Sequence, residues 1–366
     1  MHTPLCIALR VDASMIMGTG HLRRCLSLTQ ALLDCGAKVH FLIRRLDDVA
    51  TQILQKFPAS KNFTIHWLPT PNFEYIFEEG APPNQHWSGV GWYKDVADVI
   101  AVMQEIQPEW MIVDHYAFDE RWHGAVCQSL DCKLLVIDDL ADRTLDADVV
   151  LDQNWDSNHE GKYIGRLRQD PVWLSGPTFA LLDKAYRDTL TYQFQDEVKS
   201  IGIFMGGTDL EGASLKALYA CRKSGFLGPV EVATISANPY LPSLRNYCAH
   251  SFNTILTIDE PNLAPFFFRH DLHIGAGGSA TWERCYMGVP TIAMVLAENQ
   301  RIVLEPLRGM DVLEVAEEFN EEFQKQISAL IANPALRRVM HEKSRRLVDG
   351  AGVYRVANFL LRYDQN

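Results

Sequence analysis

Short apolar runs alternate with amphipathic segments along the first half of the chain. The runs have few polar interruptions, which is typical of strands that are buried on both faces of a sheet. Such strands are predicted at residues 6–9, 38–43, 64–68, 110–113, 133–137 and 149–151. Apolar residues at three- and four-residue spacing predict helices at residues 22–33, 47–57, 95–106 and 120–130. This alternation predicts a parallel, doubly wound sheet.

The alternation begins again near residue 200, after a polar stretch that we interpret as a linker. Further strands are predicted at residues 201–205, 230–235, 256–258, 272–274 and 291–295, and the chain beyond residue 300 is predicted to be helical. We therefore expect an α/β protein with two Rossmann-like, doubly wound parallel-sheet domains that face a crevice. The expected domains are residues 1–186 and 187–345, and a C-terminal helix within 346–366 packs back on the first domain.

Composition and charge exclude several classes of function. The 366 residues suit two domains, and the net charge of −12 without a dense basic stripe argues against nucleic acid as a partner. No apolar run approaches the roughly 20 residues of a membrane span, so we expect no stable membrane insertion and a cytoplasmic protein. The eight cysteines show no metal-ligand spacing, and the sequence predicts no metal and no cofactor and identifies no protein partner.

A glycine turn between the first strand and the first helix is the first candidate site. It contains Gly18 and Gly20 and ends in His21, at a place where open parallel sheets bind their ligands. The helix that follows supplies free N–H groups and the positive end of its dipole. Arg24 and the strand-end Asp12 are further candidate ligand-binding residues. Asp12 either orients the imidazole of His21 or holds the turn in place.

A second glycine cluster lies between the predicted strand at 272–274 and the helix after it. Its backbone N–H groups suit a diphosphate, and Glu283 one turn into the helix suits a ribose diol, because a carboxylate only accepts hydrogen bonds. Ser279 either caps this helix or donates to phosphate. The candidate binding residues here are Gly277, Gly278, Ser279, Ala280 and Glu283. A similar turn after the strand at 201–205 adds Gly206, Gly207 and Thr208.

Six short motifs occur in an order that resembles one enzyme family. They are Gly-Thr-Gly-His-Leu-Arg-Arg at 18–24, Asp-His-Tyr at 114–116, Asp-Asp at 138–139, Met-Gly-Gly-Thr-Asp at 205–209, the glycine-rich segment 275–283 and Glu-Asn-Gln at 298–300. The chain resembles the UDP-2,4-diacetamido-2,4,6-trideoxy-β-L-altropyranose hydrolases of pseudaminic acid biosynthesis. These are relatives of the glycosyltransferase-B enzymes that add N-acetylglucosamine to peptidoglycan precursors.

The resemblance implies metal-independent, inverting hydrolysis of the bond between the sugar anomeric carbon and UDP. It implies that His21 acts on the attacking water, that Tyr116 lines the same site and that Asn299 reaches the sugar-phosphate, with Gln300 as a further substrate-binding residue. The chain departs from the family at Asp183, where the resemblance leads us to expect an arginine.

Several alternatives stay open at the level of sequence. A glycosyltransferase or a hydrolysing UDP-sugar 2-epimerase would use the same substrate class, and a nucleotide-sugar sensor would bind without turnover. His115 is expected to be a core residue or to support a histidine tautomer. The segment 69–91 is rich in Pro, Asn, Gly and aromatic residues and is predicted to be a long loop, either a lid or a static connection.

Overall fold

The computed structural model describes residues 4–71 and 80–363, which divide into two compact units. The first unit comprises the chain up to Leu181 together with the segment from Ala351 onward, and the second comprises Leu182–Gly350. The boundaries predicted from the sequence were after residues 186 and 345. Each unit is built on its own parallel sheet, which confirms the predicted fold class of two doubly wound α/β domains.

The first unit contains a seven-stranded sheet in the order β3-β2-β1-β4-β5-β6-β7. Its strands are β1 (Cys6–Val11), β2 (Lys38–Arg44), β3 (Phe63–Leu68), β4 (Trp110–Asp114), β5 (Lys133–Ile137), β6 (Val149–Asp152) and β7 (Val172–Ser175). Its helices are α1 (Gly20–Asp34), α2 (Val49–Leu54), α3 (Trp92–Met103), α4 (Glu120–Leu130) and α5 (His159–Lys162). The chain moves outward from β1 to β3 and then returns to β4 on the other side of β1. The carboxyl ends of β1 and β4 therefore form a topological switch point, where doubly wound sheets bind ligands.

The second unit repeats this plan with six strands in the order β10-β9-β8-β11-β12-β13. Its strands are β8 (Ile201–Phe204), β9 (Val230–Thr234), β10 (Thr254–Ile258), β11 (Leu272–Ala276), β12 (Thr291–Met294) and β13 (Glu314–Ala316). Its helices are α6 (Lys184–Asp188), α7 (Ala213–Lys223), α8 (Leu241–His250), α9 (Ala264–Phe268), α10 (Ala280–Met287), α11 (Glu298–Gly309), α12 (Glu321–Ala332) and α13 (Pro334–Leu347). Here the switch point lies between β8 and β11.

The last helix, α14 (Gly352–Arg362), belongs to the first unit and packs against α1. Val353, Val356 and Leu360 are buried at helical spacing and join the core on that face of the sheet. The guanidinium of Arg355 donates to the carbonyl oxygen of Thr178 at 2.6 Å. The first unit is thus assembled from both ends of the chain.

Two strands occur where the apolar pattern gave no strand. The segment β13 was predicted to be helical but is a three-residue strand beside β12, and β7 lies between residues 152 and 200, where no strand was predicted. Both are short end strands of their sheets, and pairing with a neighbour rather than their own composition places them. Of the predicted loop at 69–91, residues 72–79 lie outside the described residues, and a 3₁₀ turn spans Gln85–Ser88. None of the helices in the described ranges is long and apolar enough to cross a membrane.

Candidate functional site

His21 lies in the first turn of α1, beside the switch point of the first sheet. Its Nδ1 is 2.6 Å from Oδ1 of Asp114, the last residue of β4. A carboxylate only accepts hydrogen bonds, so Nδ1 carries the proton and Nε2 holds the lone pair of the neutral ring. Within residues 4–71 and 80–363, no hydrogen bond reaches Nε2, and 11% of the side chain is exposed. The imidazole is therefore held at one nitrogen and able to accept a proton at the other.

Asp114 is held in turn by the guanidinium of Arg24. Nε and Nη2 of Arg24 donate to the two carboxylate oxygens at 2.6 and 2.7 Å, and the thiol of Cys25 lies 3.3 Å from Oδ2. Complete burial would raise the pKa of Asp114, but Arg24 and His21 together lower this pKa far below its usual range. Arg24 was predicted to bind a ligand, whereas its guanidinium binds Asp114 and keeps that carboxylate ionised.

Two aromatic rings stand beside the imidazole of His21. The ring of Tyr116 meets it edge-on with centroids 4.6 Å apart, and the ring of Trp87 lies 5.8 Å from it. The Tyr116 hydroxyl donates to the carboxylate of Asp139, and burial raises the pKa of Tyr116 well above its ordinary value. Tyr116 therefore stays a neutral phenol. Trp87 was not predicted as a site residue, because it lies in the segment 69–91, where no periodic pattern distinguishes one aromatic residue from another.

Of the two alternatives left open for Asp12, orienting His21 is contradicted, because the printed partners of its carboxylate are Arg10, Arg44 and His115. Asp12 is fully buried, and its oxygens accept from the guanidinium of Arg10 at 2.5 and 2.7 Å and from the backbone N–H of Arg44 at 2.7 Å. Nε2 of His115 adds a bond of 3.1 Å to Oδ2. Burial would raise the pKa of Asp12, but Arg10 and His115 lower it. Asp12 thus ties the ends of β1, β2 and β4 together and is closed to a ligand.

His115 is a buried neutral residue of this network. Its Nε2–H donates to Asp12, and its Nδ1 accepts from the backbone N–H of Ala117 at 3.2 Å. Its ring stacks on Phe118 with centroids 4.5 Å apart, and burial lowers the pKa of His115. His115 therefore fixes the turn after β4, which carries Asp114, and has no bond to His21 itself.

The two glycines of the first turn have different places in the structure. Gly18 has φ of +80°, and its N–H donates to the carbonyl oxygen of Ser14 at 2.8 Å, closing a tight turn. A Cβ atom on Gly18 would meet nothing within 4 Å, so this position needs glycine for its backbone conformation rather than for space. Gly20 is the first residue of α1. The turn thus places His21 at the carboxyl edge of the sheet, in the first turn of α1.

Backbone N–H groups that could face an anion occur in the second unit, where β11 runs into α10. The N–H groups of residues 278–280 have no hydrogen-bond partner in the described part of the chain, and Gly278 is exposed. The side chain of Ser279 forms no capping bond, so the capping alternative was wrong. Glu283 is half-buried one turn into α10. Three successive free N–H groups at a helix N-terminus form a concave site for an anion.

The turn after β8 is less open to an anion than that after β11. Asp209 accepts from the N–H groups of Ala213 and Ser214 at 2.7 and 3.0 Å, so its carboxylate already caps the first turn of α7. Burial raises the pKa of Asp209. The candidate residues of this turn, which are half-buried at the switch point, are Gly206, Gly207 and Thr208.

Asn299 and Gln300 occupy the first turn of α11, just after β12. Asn299 is exposed. Oε1 of Gln300 accepts from the N–H of Leu296 at 2.9 Å, which ties its side chain to the turn before the helix. A Cβ atom on Gly277 would lie 3.3 Å from Cβ of Gln300, so these two candidate residues are neighbours. Within the described residues, no group of three or more His, Cys, Asp or Glu side chains could hold a metal ion.

Comparisons with known proteins agree on the fold. No family model matches the chain. A relative, the spore coat polysaccharide biosynthesis protein SpsG of Bacillus subtilis (strain 168), is 23% identical over 192 residues, which span 50% of this chain and 57% of that protein. Phytolacca americana UGT2, solved with UDP-2fluoro-glucose and pterostilbene, superposes with a TM-score of 0.64 and 13% identity, with 100% of both chains covered. A putative UDP-N-acetylglucosamine 2-epimerase from Listeria monocytogenes gives 0.63 and 14%, covering 99% of this chain and 97% of that one. The chain therefore has the two-domain glycosyltransferase-B fold.

Proposed function

We propose that this protein cleaves the bond between the anomeric carbon and the diphosphate of a UDP-sugar, with His21 as the general base for an attacking hydroxyl group. One observation carries the proposal: Asp114 holds Nδ1 of His21 at 2.6 Å and leaves Nε2 without a partner in the described chain. A base needs this arrangement, because the carboxylate fixes the tautomer and stabilises the imidazolium that forms.

In the proposed reaction the hydroxyl oxygen bonds to the anomeric carbon while its proton passes to Nε2 of His21. The bond from that carbon to the phosphate oxygen breaks, and UDP leaves with the electron pair. The N–H groups of residues 278–280 would stabilise the charge that develops on the diphosphate. A base and a leaving group on opposite sides of the sugar give inversion. Tyr116 lines the site and Asn299 contacts the sugar-phosphate, as the family resemblance implies.

The choice of UDP rests on two kinds of support. UGT2 was solved with UDP-2fluoro-glucose, and the Listeria monocytogenes protein is named for a UDP-sugar. In this chain, Glu283 lies one turn into α10, where a carboxylate can accept hydrogen bonds from both hydroxyl groups of a ribose. Gly206, Gly207 and Thr208 would complete the phosphate site from the neighbouring turn.

The nucleophile separates the finer alternatives. Water would make the protein the hydrolase of UDP-2,4-diacetamido-2,4,6-trideoxy-β-L-altropyranose that the motifs resemble. The names of the similar proteins support glycosyl transfer or 2-epimerisation better than hydrolysis, since one is a polysaccharide biosynthesis protein and another a 2-epimerase. All three reactions break the same bond, but the proton that the base accepts differs: it comes from the attacking hydroxyl group in hydrolysis and transfer, and from C2 of the sugar in 2-epimerisation.

The test is UDP release from UDP-2,4-diacetamido-2,4,6-trideoxy-β-L-altropyranose and from UDP-N-acetylglucosamine, with chelator present and with or without an added alcohol acceptor. Release without acceptor identifies hydrolysis, release only with acceptor identifies a transferase, and an inverted C2 centre in the product identifies an epimerase. His21→Gln should keep UDP binding and lose nearly all turnover. His250→Gln serves as the matched control, because that exposed histidine bonds the carbonyl of Asn246 and has no other hydrogen-bond partner among the described residues. Binding without turnover, or turnover by His21→Gln, would overturn the proposal.

A further inference from the structure

Arg284 is a buried cation in the second unit, and no counter-ion pairs with it within residues 4–71 and 80–363. It is 1% exposed, and its Nη2 donates to the carbonyl oxygen of Ala276 at 2.8 Å and to Oγ1 of Thr281 at 3.2 Å. Across the described ranges, its Nε and Nη1 have no hydrogen-bond partner and no carboxylate forms an ion pair with it; Glu283 acts on it only through space. Burial lowers the pKa of Arg284 to about 10. An unpaired buried charge is unfavourable unless something compensates it.

The guanidinium lies at the positive end of α10. Its partners Ala276 and Thr281 stand on either side of the free N–H groups of residues 278–280. A Cβ atom on Gly275 would collide with Nη1, so glycine at this position leaves room for the guanidinium rather than for a ligand. A cation and the N-terminal end of a helix dipole repel each other. Their combined field favours an anion at the loop between β11 and α10.

Arg337 in the same unit shows the opposite arrangement. It is equally buried, but its Nη1 donates to the carbonyl oxygens of Leu330 and Ile331 at 2.7 and 2.6 Å, in the last turn of α12. The negative end of that helix dipole compensates the cation. Arg337 therefore needs no ligand, which makes it a matched control for Arg284.

We propose that Arg284 is the counter-charge for the diphosphate of the nucleotide, placed beneath the loop whose N–H groups bind it. Arg284 is a positioning residue, because it holds the Ala276 carbonyl and acts on the ligand through its charge rather than by contact. The inference rests on the proposed function and deepens it, since it assigns the selectivity for a diphosphate over a neutral nucleoside to one buried residue.

The test compares wild type with Arg284→Met, Arg284→Lys and Arg337→Met by calorimetric titration with UDP, inorganic pyrophosphate and uridine. Arg284→Met should weaken binding of UDP and of pyrophosphate about tenfold or more, while the affinity for uridine, which carries no charge, stays the same. Arg284→Lys should retain most of the affinity for both anions. Arg337→Met should lower the thermal midpoint and leave the ratio of UDP to uridine affinity unchanged.

The midpoint of thermal unfolding provides a second test. If Arg284 had only a structural role, its replacement would lower the midpoint of the ligand-free protein. Without ligand, Arg284→Met should unfold at the same temperature as wild type or higher, because it removes an uncompensated charge. Saturating UDP should raise its midpoint less than that of wild type. Equal loss of UDP and uridine affinity, or unchanged UDP affinity in Arg284→Met, would overturn the inference. If Arg284→Met does not fold, the UDP to uridine ratio of Arg284→Lys decides, because a full loss of selectivity there contradicts a role for the charge.

The two proposals fail in different ways. If wild type and Arg284→Met bind UDP equally well, the role of Arg284 is refuted and the proposed function is unaffected. Wild type that binds pyrophosphate through Arg284 but not UDP refutes the nucleotide and keeps the anion site.

Discussion

Replacing Asp114 by Asn tests the base most directly. The amide keeps the shape of the carboxylate but has one acceptor oxygen where the native group has two, and its NH₂ group faces donors. The imidazole of His21 then loses the acceptor that fixes its tautomer. Removing the carboxylate from a histidine pair of this kind lowers turnover by roughly 10²–10⁴-fold. We expect a loss of turnover in this range with little change in UDP affinity.

The same substitution has a predictable effect on the free energy of unfolding. Asp114 accepts two charge-assisted bonds from Arg24, at 2.6 and 2.7 Å, and both side chains are buried. Breaking a buried ion pair by removing one partner costs about 3–5 kcal/mol. Asp139 lies 3.7 Å from Nη1 of Arg24 and partly compensates the remaining cation. We therefore expect a loss near the lower end, about 3 kcal/mol at neutral pH.

The contribution of Asp114 to the free energy of unfolding should depend on pH in a predictable direction. The folded state lowers the pKa of Asp114, so its contribution to stability is fully present above the unfolded value of about 3.9 and is lost as pH falls toward the folded value. Urea unfolding of wild type and Asp114→Asn should therefore differ most at pH 7 and should converge below about pH 4. The difference between the two proteins isolates this carboxylate from all others that titrate in the same range.

Asp148→Asn is the control for removing an acidic group from the same unit. Asp148 accepts from the N–H of Leu134 at 2.8 Å, has no ion pair in the described part of the chain and lies at the opposite end of β5 from the site. This variant should keep its turnover. The reasoning about Asp114 would be refuted by native turnover in Asp114→Asn, or by a stability difference from wild type that does not shrink in acid.

Two further substitutions give sharp expectations. Gly275→Ala places a methyl group 2.8 Å from the carbonyl oxygen of Phe204, so it should lower the free energy of unfolding by about 1–3 kcal/mol in urea titrations. The methyl group of Gly278→Ala would meet no atom within 4 Å, so this control should leave the free energy of unfolding nearly unchanged. Tyr116→Phe removes the hydroxyl that donates to Asp139 and should lower the free energy of unfolding by about 1–2 kcal/mol. Because the ring remains, the rate of UDP release should fall much less than in Asp114→Asn. A rate as low as that of Asp114→Asn would assign a chemical role to the hydroxyl.

The strand pattern of the sequence predicted both switch points but not the partner of the base. Asp12 and Asp114 each follow a buried run, and each is a plausible support for a histidine. Local sequence does not separate them, because the answer depends on which cation reaches which carboxylate in three dimensions. Arg10 forms an ion pair with Asp12, whereas Arg24 pairs with Asp114 in an orientation that also lets Asp114 bind His21, 93 positions away in the chain.

Residues placed by pairing or by irregular backbone were also beyond the sequence. Trp87 stands beside His21, yet it comes from a 3₁₀ turn without apolar periodicity. Strand β13 has only three residues, and its position beside β12 comes from hydrogen bonds that composition does not encode. The glycine-rich segment 275–283 was predicted to bind a diphosphate, but its first glycine, Gly275, lies within β11 and leaves room for Arg284, and only the position of that side chain in the fold reveals this.

The two switch points use buried arginine in opposite ways, and the chemistry proposed for each explains the difference. A general base must be oriented before its substrate arrives, so Arg24 is fully engaged by Asp114 and the positive charge is neutralised within the fold. A diphosphate brings its own negative charges to a protein whose net charge is −12. Arg284, which has no counter-ion among the described residues, provides a local positive potential against the negative net charge of the protein. Arg24→Met should therefore lower the free energy of unfolding of the ligand-free protein, because it leaves the buried carboxylate of Asp114 without its cation. Arg284→Met should not lower it. A loss of stability in both variants, or in neither, would contradict this account.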